Sequence, residues 1–381
     1  MKKIVISYSI PTTFIFSTEI ISSLKKEGYH VTIISSNESE LQEVANNLGV
    51  DYVSVPFTRE FSIYKDLVAL IQMILVLKKI KPEVVLGATP KAALISMIAS
   101  RILNVRYRVY HVLGLPYETA TGFKKHILVW VEKLTSLCAT NILPVSTSLS
   151  SVYLSKFQFL KEKMNTIASL TIAGVDIEKF NKNRFSLYNN QIKKEIGIPH
   201  GFFVIGFVAR LSVDKGIGDF IAFWEQMKLK YDKLVVLMVG DLDARDGYDI
   251  KKLNTFFEDK HVFHIHHTNE VEKYMSVMDV FVLPSFREGF GNVNIEASAM
   301  KLPVISYNVT GCKDSVKDGF SGFLVEKHDV EALVSKVSYF IDSPIAIEKI
   351  GNQGRKYVEE NFTRQKVAHD IVKYLNSLES N

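Results

Sequence analysis

The segment PSFREGFGNVNIEA, residues 284–297, follows a short apolar run and combines glycines with two carboxylates. Its glycine–phenylalanine–glycine turn is typical of a helix start, and a helix N-terminus with bare glycine amides binds phosphate. Glu288 and Glu296 lie on either side of the turn, eight residues apart. A carboxylate inside the helix can accept hydrogen bonds from sugar hydroxyls. The segment therefore predicts a nucleotide-sugar site, although each acid taken singly is equally consistent with an ordinary surface carboxylate.

Two cations follow an earlier apolar run, residues 203–208, which we predict to be a buried strand. Arg210 and Lys215 lie five residues apart on the loop that leaves this strand. Negative charge builds on a diphosphate as a glycosidic bond breaks, and such cations stabilise it. The alternative is two solvated surface charges, but their place at a strand end favours a diphosphate site.

Short apolar runs alternate with longer helical patterns in both halves of the chain. This alternation predicts parallel βαβ units, and so an α/β fold with two doubly wound, Rossmann-like domains. We expect domains at residues 1–175 and 176–355, and a last helical segment, residues 356–381, that crosses back to the first. Ligands of such sheets bind at the carboxyl ends of the strands, which predicts a site in an interdomain cleft.

The composition excludes several function classes. The chain has 381 residues and two distant cysteines, so it offers no disulfide framework and no metal-binding spacing. It has no nucleic-acid motif, and no run reaches the ~20 apolar residues that span a bilayer. The net charge of +5 resides in residues 1–178. This excess is either scatter or a preference for something anionic, such as lipid headgroups or a lipid-linked phosphate.

The run from residue 280 to residue 325 resembles the retaining GT-B glycosyltransferases of family 4, whose signature is two glutamates separated by seven residues. Arg210 and Lys215 match the diphosphate-binding pair of that family. The resemblance also implies that the second domain binds the nucleotide sugar. The resemblance implies that Glu296 holds the ribose and that Glu288 contacts the donor sugar. It extends the donor-binding set to the residues of the turn: Gly289, Phe290, Gly291 and Asn292. Asn292 is the expected helix cap.

The N-terminal half resembles the branch of that family that builds bacterial capsule, O-antigen and related glycans. Residues 87–91, 111–115 and 118–122 carry this likeness. It implies an acceptor-binding domain, an acceptor sugar on polyprenyl diphosphate and a UDP-linked donor. His111 would touch the donor sugar or the reacting centre, unless it is an ordinary core imidazole. Residues 7–13 depart from the family, since they lack its glycine-rich loop.

Acceptor binding and membrane contact are the least specific predictions. Arg59, Lys91, Glu118 and Lys124 are candidates for contact with the acceptor. Residues 66–79 and 124–133 mix apolar side chains with lysines, which indicates either core packing or a surface that rests on a membrane. We expect a cytoplasmic protein, peripheral on the inner face of the cell membrane.

The sequence as a whole predicts a retaining glycosyltransferase of cell-surface polysaccharide synthesis. It would move a sugar, an N-acetylhexosamine or a related one, from a UDP-sugar to a lipid-linked saccharide, and need neither a metal nor another cofactor. Two alternatives remain open. One is a UDP-sugar 2-epimerase of the same fold, and the other is a non-catalytic subunit that binds nucleotide sugars.

Overall fold

A computed structural model describes four ranges of the chain: residues 2–58, 62–167, 171–243 and 249–378. The chain divides into two compact units. The N-terminal unit comprises Met1–Gly174 together with Arg364–Asn381, and the C-terminal unit comprises Val175–Thr363. The backbone N–H of Val175 donates to the carbonyl oxygen of Phe362 at 2.7 Å. The chain therefore enters and leaves the C-terminal unit side by side.

The described residues form two sheets and the helices that cover them. The strands are β1 (Lys2–Ser7), β2 (Tyr29–Ser35), β3 (Asp51–Ser54), β4 (Val84–Ala88), β5 (Tyr107–Val112), β6 (Asn141–Pro144), β7 (Phe203–Val208), β8 (Leu234–Val239), β9 (Val262–Ile265), β10 (Val280–Leu283), β11 (Val304–Tyr307) and β12 (Gly322–Val325). The helices are α1 (Thr18–Lys26), α2 (Glu38–Leu48), α3 (Ile63–Ile80), α4 (Pro90–Ile102), α5 (Gly122–Cys138), α6 (Thr147–Lys156), α7 (Asn189–Ile196), α8 (Ile217–Lys230), α9 (Ile250–Phe257), α10 (Val271–Met275), α11 (Asn292–Ala299), α12 (Cys312–Ser315), α13 (Val330–Asp342), α14 (Pro344–Asn361) and α15 (Arg364–Ser377).

The sheet of the N-terminal unit has six parallel strands in the order β3-β2-β1-β4-β5-β6. Of its central strands, β4 is buried throughout and β1 from Ile4 onward, as in a parallel sheet that helices cover on both faces. Helix α4 packs between α3 and α5, and α1 packs against α2 and α15. The reversal of strand order between β1 and β4 is the switch point, where ligands of this fold bind.

Helix α15 belongs to the core of the N-terminal unit although it lies at the far end of the sequence. Val367, Ile371 and Leu375 recur every four residues, so they share one face of the helix. That face packs into the same apolar cluster as Ile4 and Leu24. Burial of this stripe attaches the C-terminal helix to the first sheet.

The sheet of the C-terminal unit repeats the architecture, with six parallel strands in the order β12-β11-β10-β7-β8-β9. Counted from the first strand of the unit, this is the same order as in the N-terminal sheet. Its switch point lies between β7 and β10. The predicted α/β fold with two Rossmann-like domains is therefore confirmed. Across the described ranges, no helix is both long and apolar enough to cross a membrane.

Candidate functional site

The switch point of the C-terminal sheet brings two distant loops together. Strand β10 pairs with β7, so the loops that leave their carboxyl ends lie side by side. The backbone N–H of Phe286 donates to the carbonyl oxygen of Asp214 at 2.8 Å, and the Ser285 hydroxyl donates to the same oxygen at 3.2 Å. These bonds fix the segment that carries Glu288 against the segment that carries Lys215.

Lys215 and Glu288 form an ion pair across this junction. The Lys215 Nζ atom lies 2.6 Å from Glu288 Oε1, and the two side chains are only 19% and 13% exposed. Charge-assisted hydrogen bonds in a partly dry site are stronger than those in water. The pair thus presents a cation that could exchange a carboxylate oxygen for a phosphate oxygen without moving far.

Two glycines make the close approach of these loops possible. Gly216 has φ +73°, and a Cβ there would lie 1.8 Å from the carbonyl oxygen of Pro284. Gly311 has φ +80°, and a Cβ there would lie 2.6 Å from the carbonyl oxygen of Glu288. Both positions combine a left-handed backbone with direct backbone contact, so no other residue fits without displacement. The glycines therefore set where Lys215 and Glu288 meet.

Helix α11 begins directly after the glycine-containing turn. Gly291 is its N-cap with φ +82°, and Asn292 is the first helical residue. The prediction that Asn292 caps the helix is therefore wrong, because the left-handed backbone at the cap favours glycine. The Phe290 ring is buried against Phe362, so this residue offers the site its backbone. Glu296 lies one turn into the helix and is half-buried.

Arg210 lies on the other side of the β7 loop, where it pairs with the buried carboxylate of Asp243. The guanidinium group is exposed and borders a cavity of about 450 Å³ at the carboxyl ends of β7, β8 and β9. Gly240, Thr268 and Val271 also line the cavity. Its volume falls in the range of small-ligand sites.

Most residues that line the cavity lie outside the two charged segments from which the sequence predicts a site. The usable signal was strand order: in a doubly wound sheet β8 lies next to β7, so the polar residues after β8 must lie beside Arg210. Asp241 follows β8 and accepts hydrogen bonds from His266 Nδ1 at 3.0 Å and from the His267 backbone at 3.1 Å. Within the four described ranges, no cluster of three or more His, Cys, Asp or Glu residues could hold a metal ion.

The switch point of the N-terminal sheet has a different lining, made of hydroxyl groups. The Ser9 backbone N–H donates to Thr89 Oγ1 at 2.9 Å, and the two hydroxyl oxygens lie 2.8 Å apart. The Ala92 N–H, in the first turn of α4, donates to Ser9 Oγ at 3.2 Å. The serine hydroxyl therefore occupies the helix start where a glycine-rich loop would leave room for a ligand oxygen.

His111 lies at the carboxyl end of β5, in register with Ala88 of β4. The side chain is buried, and this burial lowers the pKa of the imidazole to about 4. The ring is therefore neutral near pH 7 and can act as a hydrogen-bonding group but not as a cation. Its place next to the Ser9–Thr89 network puts it at the edge where ligands of this sheet bind.

Three of the four acceptor candidates lie among the described residues. Lys91, in the first turn of α4, is buried and pairs with the Asp66 carboxylate of α3. Glu118 ends the 3-10 turn Pro116–Glu118 and is half-buried, whereas Lys124 is exposed in the first turn of α5. Arg59 lies outside the described residues. Among the described residues, the three candidates therefore lie on different segments: the start of α4, the turn after β5 and the start of α5.

A buried carboxylate of α5 was not singled out from the sequence. Glu132 accepts hydrogen bonds from the Tyr110 and Tyr153 hydroxyls, and burial raises the pKa of its carboxyl to about 7. Ser136 contacts Tyr153 and donates to the Glu132 carbonyl oxygen at 2.6 Å. The available signal was a glutamate directly after the apolar run of residues 127–131.

Both halves of the chain match known glycosyltransferase families. Residues 188–357 match the family model described as glycosyl transferases group 1, and residues 5–148 match the one described as glycosyl transferase 4-like. The capsular polysaccharide biosynthesis glycosyltransferase CapM of Staphylococcus aureus is 35% identical over 94% of this chain and 92% of its own length. An Escherichia coli protein named UDP-Gal:alpha-D-GlcNAc-diphosphoundecaprenol alpha-1,3-galactosyltransferase is 24% identical over 84% of this chain and 82% of its own length.

Among solved structures, HepE of Anabaena in complex with UDP and glucose superposes with a TM-score of 0.82. It is 18% identical and covers 99% of this chain and 100% of its own, a likeness that concerns the fold. The relatives confirm the expected resemblance to the branch that builds capsule and related bacterial glycans. Since family models match both halves of the chain and CapM is similar over nearly its whole length, the chain belongs to the group 1 glycosyltransferases and is a transferase with the GT-B fold.

Proposed function

We propose that this enzyme transfers a sugar from a UDP-sugar, with retention of configuration, to a saccharide on polyprenyl diphosphate. The observation that carries the proposal is the Lys215–Glu288 pair beside the glycine-capped start of α11. Two comparisons support it: the Escherichia coli relative is named for a UDP-galactose donor and a diphosphoundecaprenol acceptor, and HepE was solved with UDP. The sugar we favour is an N-acetylhexosamine or a related hexose.

In this proposal the donor binds along the carboxyl edge of the C-terminal sheet. Lys215 exchanges Glu288 for a diphosphate oxygen, and Arg210 leaves Asp243 to bind a second one. The turn of Gly289, Phe290, Gly291 and Asn292 adds backbone amides at the positive end of a helix. Glu296 accepts hydrogen bonds from the ribose hydroxyls, and the cavity beside Arg210 has room for the base.

The chemical step then depends on stabilising the leaving group. The bond between the anomeric carbon and the phosphate oxygen breaks, and its electron pair stays on the UDP. Lys215 and Arg210 stabilise that charge, as preorganised cations do where charge develops. The acceptor hydroxyl attacks from the face that UDP leaves, and its proton passes to the departing phosphate oxygen. Glu288 stabilises positive charge on the sugar, and neutral His111 supplies a hydrogen bond at the reacting centre. No protein nucleophile, metal or other cofactor takes part.

The acceptor belongs to the N-terminal unit in this proposal, with Lys91, Glu118, Lys124 and Arg59 as the residues to examine first. A saccharide on polyprenyl diphosphate remains anchored in the bilayer. The enzyme would therefore work at the cytoplasmic face of the cell membrane, as part of cell-surface polysaccharide synthesis.

The test begins with a thermal-shift screen of nucleotide sugars, because a donor that binds the native state raises its melting temperature. The donor found is then incubated with a panel of polyprenyl-diphosphate saccharides, and the product is analysed by mass spectrometry and NMR. A glycosylated acceptor with the donor's anomeric configuration is the expected result. An isomerised UDP-sugar without transfer would instead identify a 2-epimerase, and an inverted linkage would exclude retention.

A further inference from the structure

Helix α3 of the N-terminal unit exposes a stripe of large apolar side chains. Ile63, Leu67, Ile71 and Leu75 recur every four residues along one side of the helix, and Tyr64 lies beside the first of them. These five side chains are between 50% and 91% exposed. A helix of this kind normally buries such a stripe against a neighbour. The opposite side of α3 already packs on α4, so the exposed stripe is additional to the fold.

Helix α5 carries a second stripe. Phe123, Trp130 and Leu137 recur every seven residues, which places them on one side of the helix, and they are between 42% and 80% exposed. Because α4 contacts both α3 and α5, the two helices flank it in one layer. We call the exposed sides of these two helices the α3–α5 surface. Each stripe is an exposed apolar patch, and patches of this kind mark binding sites.

The exposed charged side chains of this surface are all positive. The two helices contain six lysines: Lys65, Lys78, Lys79, Lys124, Lys125 and Lys133. All six are exposed. Their two carboxylates are occupied elsewhere, since Asp66 pairs with Lys91 and Glu132 is buried among tyrosines. The α3–α5 surface therefore presents apolar side chains among lysines without an exposed acid.

We propose that the α3–α5 surface binds an anionic lipid bilayer, with its apolar side chains in the interface and its lysines at the headgroups. This is the pattern of helices that lie on a membrane, and each lysine near an anionic leaflet adds to the attraction. A second copy of the chain fits less well, because a symmetric contact would bring the same lysines face to face.

The orientation follows from topology. In a βαβ unit each helix starts near the carboxyl end of the strand before it, so the N-termini of α3 and α5 lie at the edge that carries the switch point. Ile63, Tyr64 and Phe123, the most exposed of the apolar side chains, occupy those N-termini. The surface would hold that edge near the bilayer from which a lipid-linked acceptor arrives. This last step rests on the proposed function, whereas the surface itself does not.

The first experiment is co-sedimentation with vesicles of phosphatidylglycerol and phosphatidylcholine in equal parts, with pure phosphatidylcholine as the neutral comparison. The test variant is Ile63→Ser with Phe123→Ser. The control is Leu229→Ser, which changes an equally exposed side chain (87%) of the C-terminal unit. We expect wild type and control to bind the anionic vesicles, and the partition of the double variant to fall about tenfold or more. Unchanged melting temperatures show that all three proteins are folded.

Fluorescence gives a second readout that electrostatic adsorption alone would not produce. The chain has two tryptophans, Trp130 on the α3–α5 surface and Trp224 buried in the C-terminal unit. In a Trp224→Phe background, the emission of Trp130 should shift to the blue on anionic vesicles. Lipids brominated in the acyl chain should then quench it.

Three outcomes would overturn the proposal. They are undiminished binding by the double variant, vesicle binding without quenching of Trp130, and a dimer in ultracentrifugation that the double variant dissociates. Transfer to a short-chain, detergent-free acceptor separates the two hypotheses. If wild type binds vesicles and transfers nothing, the proposed function fails and the surface stands. If wild type transfers sugar but never binds vesicles, the proposed function stands and the proposal for the α3–α5 surface fails.

Discussion

The two switch points have the same strand order and opposite chemistry. In the C-terminal sheet, the loop after β7 brings Lys215 against Glu288, and Arg210, on the other side of that loop, borders a cavity. In the N-terminal sheet, the corresponding edge is lined by the hydroxyls of Ser9 and Thr89. One topology thus supplies a ligand-binding edge twice, and the residues placed on that edge decide what it can bind.

The difference extends to the charges that each edge makes available. Lys91 occupies the helix start of the N-terminal switch point, but Asp66 neutralises it. His111 is also without charge near neutral pH, because burial lowers its pKa. The cations of the C-terminal edge are also paired, but this edge has two of them, Lys215 and Arg210, and a glycine-capped helix start. The N-terminal edge has one, and a serine hydroxyl occupies its helix start. We therefore expect a diphosphate at the C-terminal edge and uncharged hydroxyl groups at the N-terminal edge. This assignment agrees with a donor in the second unit and an acceptor sugar in the first, and it can be tested residue by residue.

Replacement of the cation at the C-terminal switch point should have the largest effect. Lys215→Ala removes the charge proposed to stabilise the leaving diphosphate, so kcat/KM should fall by about 10²–10³-fold. Lys349→Ala, an exposed lysine on α14, is the matched control and should leave turnover unchanged. Steady-state assays of sugar transfer measure both. Turnover near the wild-type value in Lys215→Ala would show that the charge of Lys215 is not needed, and the proposed contrast in charge between the two edges would lose its functional meaning.

The glycine that lets the two C-terminal loops meet is the next target. Gly216→Ala should cost about 2–4 kcal/mol of unfolding free energy, because it adds a steric clash with Pro284 to a strained backbone. Gly319→Ala is a close control: φ is +69° there, against +73° at Gly216, but a Cβ would meet nothing within 4 Å. The control should lose only about 1 kcal/mol. Urea unfolding measures both, and equal losses would show that the loops are not held by close packing.

The buried Glu132 predicts a pH-dependent effect confined to the N-terminal unit. Its carboxyl pKa rises from the ordinary value of 4.5 to about 7 in the folded protein. Between these values the native state holds a proton that the unfolded chain has released, so stability falls as pH rises through this window. Glu132→Gln avoids the penalty and should be more stable by about 2–3 kcal/mol at pH 8, with no gain below pH 4.

Urea unfolding at several pH values tests this, and exposed Glu348→Gln serves as the control with no expected trend. This measurement shows whether the interior of the N-terminal unit is uncharged, which is the property that we contrast with the charged edge of the C-terminal unit. If Glu132→Gln gains no more stability over wild type at pH 8 than at pH 4, Glu132 is ionised and stabilised in the fold.

Local sequence predicted the parts of the site that depend on neighbours in the chain. The apolar runs and the residue types at their ends indicated two α/β domains. The two strand-end segments singled out from the sequence carry Lys215 and Glu288, which form an ion pair. The helix cap was wrong by one residue, since only the backbone conformation distinguishes Gly291 from Asn292. Which of the two residues caps the helix depends on the backbone angle φ at the cap position, and the amino-acid sequence does not give that angle.

Long-range pairing explains what sequence reasoning could not supply. The partner of Arg210 is Asp243, and the partner of Lys91 is Asp66 of a different helix. Nothing in the spacing of these residues indicates either ion pair, because tertiary packing of separate elements creates both. The cavity beside Arg210 arises in the same way, from three strand ends that are far apart in sequence.

The smallest predicted effect concerns the hydroxyl that closes the N-terminal helix start. Ser9→Ala removes the acceptor of the Ala92 N–H and the contact with Thr89, and should cost about 1 kcal/mol, as loss of a helix cap does. Ser155→Ala, whose hydroxyl is exposed near the end of α6, should cost less. If Ser9→Ala costs nothing, the serine does not satisfy the helix start. The N-terminal switch point would then be as open to phosphate as the C-terminal one, and the acceptor diphosphate rather than its sugar would become the better candidate ligand there.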